Sequence, residues 1–177
     1  MTINAKSSHP GEVILLVGTR KGAFIFSSDR DRKEGLVSDL VSKSWNVMHM
    51  TLDRRDRRLH TAVVHEVYGP STHYSDDLGA TWVQSAQVPA FSRPSRSGRP
   101  LGNPDEARDE DTAKTTPEKV LKVWNITPGK YSEPGVLYAG IEPGALFKSH
   151  DRGQTWELNE SLYDHRQRAE WFPGAID

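Results

Sequence analysis

At 177 residues the chain suits one domain with a sizeable core. Its 23 Lys+Arg stand against 24 Asp+Glu, so no global field recruits nucleic acid or an anionic membrane. The absence of Cys excludes disulfide frameworks, thiolate metal sites and cysteine nucleophiles together.

Residues 1–11 are polar and read as a flexible lead, without the apolar stretch of a signal peptide. A cytoplasmic location is therefore expected, and the sequons at Asn125-Ile126-Thr127 and Asn159-Glu160-Ser161 are read as coincidence. Val13-Ile14-Leu15-Leu16-Val17, the longest apolar run, is a buried-strand pattern far too short to cross a bilayer. Gly18 to Gly22 turns the chain, and Ala23-Phe24-Ile25-Phe26-Ser27 returns as a second strand. Trp45 to Met50, Leu59 to Val67, Thr72 to Tyr74 and Val83 to Val88 are the strands of a second unit. They are separated by a charged turn, Asp53-Arg54-Arg55-Asp56-Arg57-Arg58, and by a turn over Tyr68 to Ser71. Two acids bracket the arginines of the charged turn, which reads as a solvated turn rather than a nucleic-acid patch.

Residues 89–118 shift in composition, with a basic Pro/Ser-rich half and an acidic half. That stretch reads as a long surface insertion without apolar residues to bury, mobile at its middle. The third unit runs through strands Val120 to Ile126, Val136 to Ile141 and Ala145 to Lys148, with turns over Pro128 to Gly135 and Glu142 to Gly144. Past Glu157 lies a connection with one helical turn, and Trp171 and Phe172 are placed to pack on something downstream.

An eight-residue phrase closes the third strand of each complete unit. Ser75, Asp77, Gly79, Thr81 and Trp82 recur as Ser149, Asp151, Gly153, Thr155 and Trp156. Ser ends a strand, the Asp carboxylate accepts backbone N–H bonds across the turn, and Gly takes a shape other residues resist. Thr starts the next strand and Trp anchors the hairpin. Ser28-Asp29-Arg30 begins a worn first copy that never reaches Gly-x-Thr-Trp.

Four short strands per unit predict an all-β chain: a partial β-propeller of about three four-stranded blades, the first lacking an innermost strand. Blade 1 covers 12–44, blade 2 covers 45–88 and blade 3 covers 119–158, with 159–177 leading on. Propellers close with about four to eight blades, so the chain reads as the N-terminal part of a longer ring. The alternative is that copies associate through open blade edges to finish it.

The phrase resembles the Asp-box, or BNR repeat, Ser-x-Asp-x-Gly-x-Thr-Trp. The wider chain is similar to bacterial BNR-repeat proteins often labelled glycosyl hydrolase or exo-alpha-sialidase, through Leu16 to Phe24, Val136 to Pro143 and Glu170 to Ala175. The resemblance implies a propeller and a ligand- or glycan-binding role. It does not imply one activity, since the Asp-box occurs in sialidases, sortilin-type receptors, xyloglucan-cleaving enzymes and photosystem assembly factors alike. The Phe-Arg-Ile-Pro-like motif of sialidases is absent; Phe91-Ser92-Arg93-Pro94 lies inside the insertion.

Asp77 and Asp151 sit on equivalent turns of different blades and are expected to be structural, not the carboxylate pair of a glycosidase. The turns between second and third strands, on the opposite rim, are the better place for a ligand. Arg20, Lys21, Tyr68 and Glu142 occupy them, and His165 and Arg166 occupy the connection after blade 3. Arg20 can fork onto a carboxylate or phosphate. Glu142 is the weak catalytic candidate, an acid or base should burial raise its pKa. The bland reading of the same residues is solvated polar turns. His49, His60, His65, His73, His150 and His165 show no ligand spacing, so neither metal nor cofactor is expected. The expected partner is a carbohydrate or a protein at the channel rim, with no nucleic acid and no membrane. A glycoside hydrolase of exo-sialidase type, completed by further blades, and a protein-binding scaffold are the alternatives.

Overall fold

The computed structural model describes residues 13–94, 117–168 and 171. Three antiparallel sheets follow one another along the chain. The first holds β1 (Val13–Thr19), β2 (Gly22–Ser28) and β3 (Gly35–Val37). The second holds β4 (Asn46–Asp53), β5 (Arg58–His65), β6 (Gly69–Ser75) and β7 (Val83–Gln84). The third holds β8 (Lys122–Pro128), β9 (Leu137–Glu142), β10 (Ala145–Ser149) and β11 (Glu157–Leu158). A single helical turn, α1 (Glu160–Tyr163), follows, capped by the Asn159 side chain, which accepts from the Leu162 amide at 3.0 Å.

Each sheet is a meander in which every strand pairs with its neighbour in sequence. Three such leaves in succession are blades of a β-propeller, and the described residues form an arc of three. The serine that ends the third strand of each blade fixes the equivalences. Ser28, Ser75 and Ser149 pair with Val13, Leu59 and Leu137. By that alignment β1 is a second strand, and blade 1 has no first strand among the described residues. Blades 2 and 3 even share a bulge in their first strands, between Val47 and His49 and between Val123 and Asn125.

Alternation along the strands sends one set of side chains to each neighbouring blade. Ala23, Val47 and Val63 form the seam between blades 1 and 2, joined by Val41, Trp45 and Met50. The larger core includes Ala62, Val123, Ile126, Leu137, Ala139, Ile141, Phe147 and Tyr163, between blades 2 and 3. No helix among the described residues is long and apolar enough to cross a membrane.

Several sequence expectations need correction. The strand expected over Val83 to Val88 ends at Gln84. The Ala86 and Gln87 amides donate instead to the Gln154 side-chain and backbone oxygens, so this segment joins blade 2 to blade 3. The next strand starts after each Trp, at Val83 and Glu157, and not at the Thr. The turn placed over Tyr68 to Ser71 lies at 66–68, and Gly69 opens β6. Blade 1, expected without an innermost strand, is three-stranded among the described residues, but its outer strand β3 lies inside the stretch read as degenerate.

The insertion does bury apolar surface at its ends. Pro89 is fully buried, and Phe91 stacks on Tyr163 with ring centroids 4.7 Å apart and meets Phe147 at 5.7 Å. The middle of the insertion lies outside the described residues, as does Phe172. Trp171 stacks on His165 at 6.2 Å.

Candidate functional site

The two Ser-x-Asp-x-Gly-x-Thr-Trp turns share one hydrogen-bond pattern. The Ser75 hydroxyl donates to Asp77 Oδ1 at 2.8 Å and accepts from the Gly79 amide at 2.7 Å. Thr81 gives Asp77 its amide, at 2.8 Å, and its hydroxyl, at 2.6 Å. Asp151 likewise takes the Ser149 hydroxyl, the Gln154 and Thr155 amides and the Thr155 hydroxyl, all within 3.0 Å. Burial opposes ionisation of both carboxyls, but the threonine and serine donors prevail and hold them below the usual carboxylate range. Carboxylates committed in this way are turn staples. The worn copy keeps the device: Asp29 Oδ1 accepts from the Lys33 amide at 2.8 Å. Gly79 has φ +97°, and a Cβ there would fall on the Ile25 side chain of blade 1. The Trp82 indole donates to the Gly79 carbonyl at 3.2 Å, closing the turn.

Replacing Asp151 by alanine removes the acceptor of the buried Ser149 hydroxyl and frees three donors of the turn. The expected loss is about 2–3 kcal/mol of folding stability by urea denaturation. A loss under about 0.5 kcal/mol, the range of ordinary surface changes, would refute the staple.

On the same rim, the run from Asp53 to Arg58 is not the solvated turn its composition suggests. Asp53 and Arg58 are buried. Arg55 Nε donates to Asp53 Oδ1 at 2.8 Å, while its terminal nitrogens donate to the carbonyls of Lys130, Glu133 and Val136 in blade 3. Arg58 grips Asp76 through two 2.7 Å bonds and lies 4.0 Å from the centre of the Tyr74 ring. Arg152 of blade 3 reaches back to Asp56 at 2.8 Å. Planar forks match carboxylates and loop carbonyls. Arg55 and Arg152 use theirs to join blades 2 and 3, Arg58 closes blade 2 on itself, and Arg54 and Arg57 stay exposed. A shallow cleft of ≈ 180 Å³ opens here, lined by residues that include Leu52, Arg54, Arg55, Gly129 and Tyr131.

The opposite rim carries the turns 20–21, 66–68 and 143–144. Lys21 and Arg20 are exposed, and the Lys21 carbonyl accepts from the Ser44 amide at 3.1 Å. That bond seats the link between blades 1 and 2 against the turn and brings Trp45 beside it. Trp45 stacks on Tyr68 with centroids 6.4 Å apart and planes 26° apart. His65 lies 5.1 Å from Trp45 and 4.8 Å from Tyr68. His73, 5.5 Å from Trp45, closes the cluster. Tyr68 is 76% exposed. The Lys21 backbone thus anchors Ser44, and the next residue, Trp45, stacks on Tyr68. Sequence reasoning missed Trp45 as a site residue.

The remaining candidates stand apart from this cluster. The Glu142 carboxylate pairs with Lys122 Nζ at 3.0 Å, and Lys122 lies 4.7 Å from the centre of the Trp124 ring. His165 Nδ1 accepts from the Gln167 amide, and its ring is occupied by Trp171. Arg166 is exposed beside it in sequence. Among the described residues no group of three or more His, Cys, Asp or Glu is placed to hold a metal ion.

No protein-family model and no curated protein sequence matches the chain. A solved structure of YCF48 bound to D1 peptide is similar at 12% identity and a TM-score of 0.41. The match covers 86% of this chain and 44% of that one. The chain therefore spans less than half the length of that structure.

Proposed function

We propose that this chain is a binding module of the Asp-box, sialidase-like propeller type, which holds a glycan on the rim opposite its Asp-boxes. The observation that carries this reading is the cluster of Trp45, His65 and Tyr68 beside the Arg20–Lys21 turn. An exposed aromatic face suits the apolar face of a sugar ring, and adjacent cations suit a carboxylate on it. Turnover is not part of the proposal. The Asp-box carboxylates are consumed by their turns, and Glu142 is neutralised by Lys122. Binding of sialyllactose, followed calorimetrically, is expected to weaken about tenfold in Tyr68→Ala, a loss of about 1.4 kcal/mol. Lys21→Ala is expected to weaken it less, in a salt-dependent manner. Unchanged affinity in Tyr68→Ala would sink the reading, as would hydrolysis of a fluorogenic sialoside that Glu142→Gln abolishes.

A further inference from the structure

Blade 1 presents an apolar face that nothing among the described residues covers. Leu15, Phe26 and Val37 lie in one row across β1, β2 and β3, and are 58%, 39% and 48% exposed. Val17 and Phe24 pair in the next row on the same face. In the other blades the second-strand member of that row is buried. Leu15 stands where blade 2 has Thr61 and blade 3 has Ala139, which are 1% and 0% exposed against the blade before them.

The far side of blade 3 is open in the complementary sense. Trp124 is the bulge residue of β8, at the position of Met48 in β4. Met48 packs on the core shared by blades 2 and 3. Trp124 meets no following blade among the described residues and is 40% exposed. Among the described residues, no blade packs on the preceding face of blade 1 and none on the following face of blade 3.

We propose that a second copy of this chain fills both places, blade 3 of each copy packing on blade 1 of the other. Continuity with the existing seams favours this occupant. The open faces are the same two surfaces that already pack at the seams between blades 1 and 2 and between blades 2 and 3. Head-to-tail packing closes when the rotation allows it. Two arcs of three make six blades, within the usual range of about four to eight. The two-fold axis then runs along the channel, and no blade face stays bare. This ring does not depend on what the rim binds.

The 177-residue chain itself tests this by sedimentation equilibrium. The expected mass is twice the 19.9 kDa of one chain. Leu15→Glu and Trp124→Glu each alter an exposed residue at opposite ends, and each is expected to give a monomer with an unchanged circular dichroism spectrum. Mixing the two variants is expected to restore a dimer, because one of the two seams is then intact. Val37→Lys replaces Leu15→Glu if the latter fails to fold. A monomeric parent overturns the proposal, whether the face is covered by the rest of this chain or by further blades. A dimer that survives Trp124→Glu overturns it too, since that dimer would be joined through blade 1 alone. Open oligomers larger than the dimer overturn the closure.

Discussion

Arg168→Ala is expected to cost about 3–5 kcal/mol of folding stability, the largest effect of any single substitution considered for this chain. Arg168 is fully buried, and its fork meets both Glu118 oxygens, at 3.1 and 2.6 Å. Its Nε donates to the Gly144 carbonyl at 2.8 Å, and its guanidinium carbon lies 4.4 Å from the centre of the Tyr163 ring. Removing the guanidinium leaves the Glu118 carboxylate in a dry seam without its counter-charge. Tyr163 shares that seam. Burial, and then the Glu118 charge, push its phenol up to about 12, so it stays neutral at physiological pH and donates to the Arg93 carbonyl. Arg93 itself grips Asp164 at 3.0 and 2.7 Å. Both described ends of the insertion are thus tied to the segment after blade 3. Urea denaturation followed by tryptophan fluorescence measures the loss. The double variant Arg168→Met, Glu118→Leu is expected to recover most of it, because a buried pair is replaceable by apolar residues of similar size. Arg168→Ala within about 1 kcal/mol of the parent would show that water reaches the pair.

That pair also marks where sequence reading stopped. The blades were legible because their causes are local. Alternating burial in β9, turn residues between strands, and the repeated Ser-x-Asp-x-Gly-x-Thr-Trp each act within a few residues of chain. Arg93 with Asp164, and Glu118 with Arg168, lie 71 and 50 residues apart, and no local pattern distinguishes them from surface charges. Arg55 misled for the same reason. Its partners are blade 3 carbonyls 75 to 81 positions away, which composition cannot show. The positions of Arg20 and Lys21 on a rim turn follow from counting strands, whereas the aromatic neighbours of Tyr68 do not: Trp45 arrives through a backbone bond between Ser44 and Lys21. An isolated Trp at the head of a strand reads as core, and Trp45 is partly that, packing on the seam of blades 1 and 2 as well.

The electrostatic joint between blades 2 and 3 has an acid limit, set chiefly by His60. This residue is 3% exposed in β5, and its Nε2 is buried without a hydrogen-bond partner. Burial, and then the Arg58 charge, lower its pKa from 6.5 to about 4; Asp53 and Asp56 oppose the shift, and Arg152 adds to it. The folded chain therefore holds His60 neutral over a range where the unfolded chain protonates it. Stability conferred by the neutral ring is fully present above pH 6.5 and is lost as pH falls through about 4. At about 1.4 kcal/mol per pH unit, the loss across that window is about 3 kcal/mol. His49 and His73, lowered by burial, titrate in the same direction and add to the slope. The depressed carboxyls of Asp53, Asp77 and Asp151 contribute only below their ordinary value of 3.8. Urea titrations between pH 7 and 4 are expected to show this decline, and His60→Leu is expected to remove the largest share of it. The variant discards a polar atom that has no partner, so its stability at pH 7 should stay near that of the parent. An unchanged slope in His60→Leu would assign the acid limit to the other histidines and remove His60 from the joint.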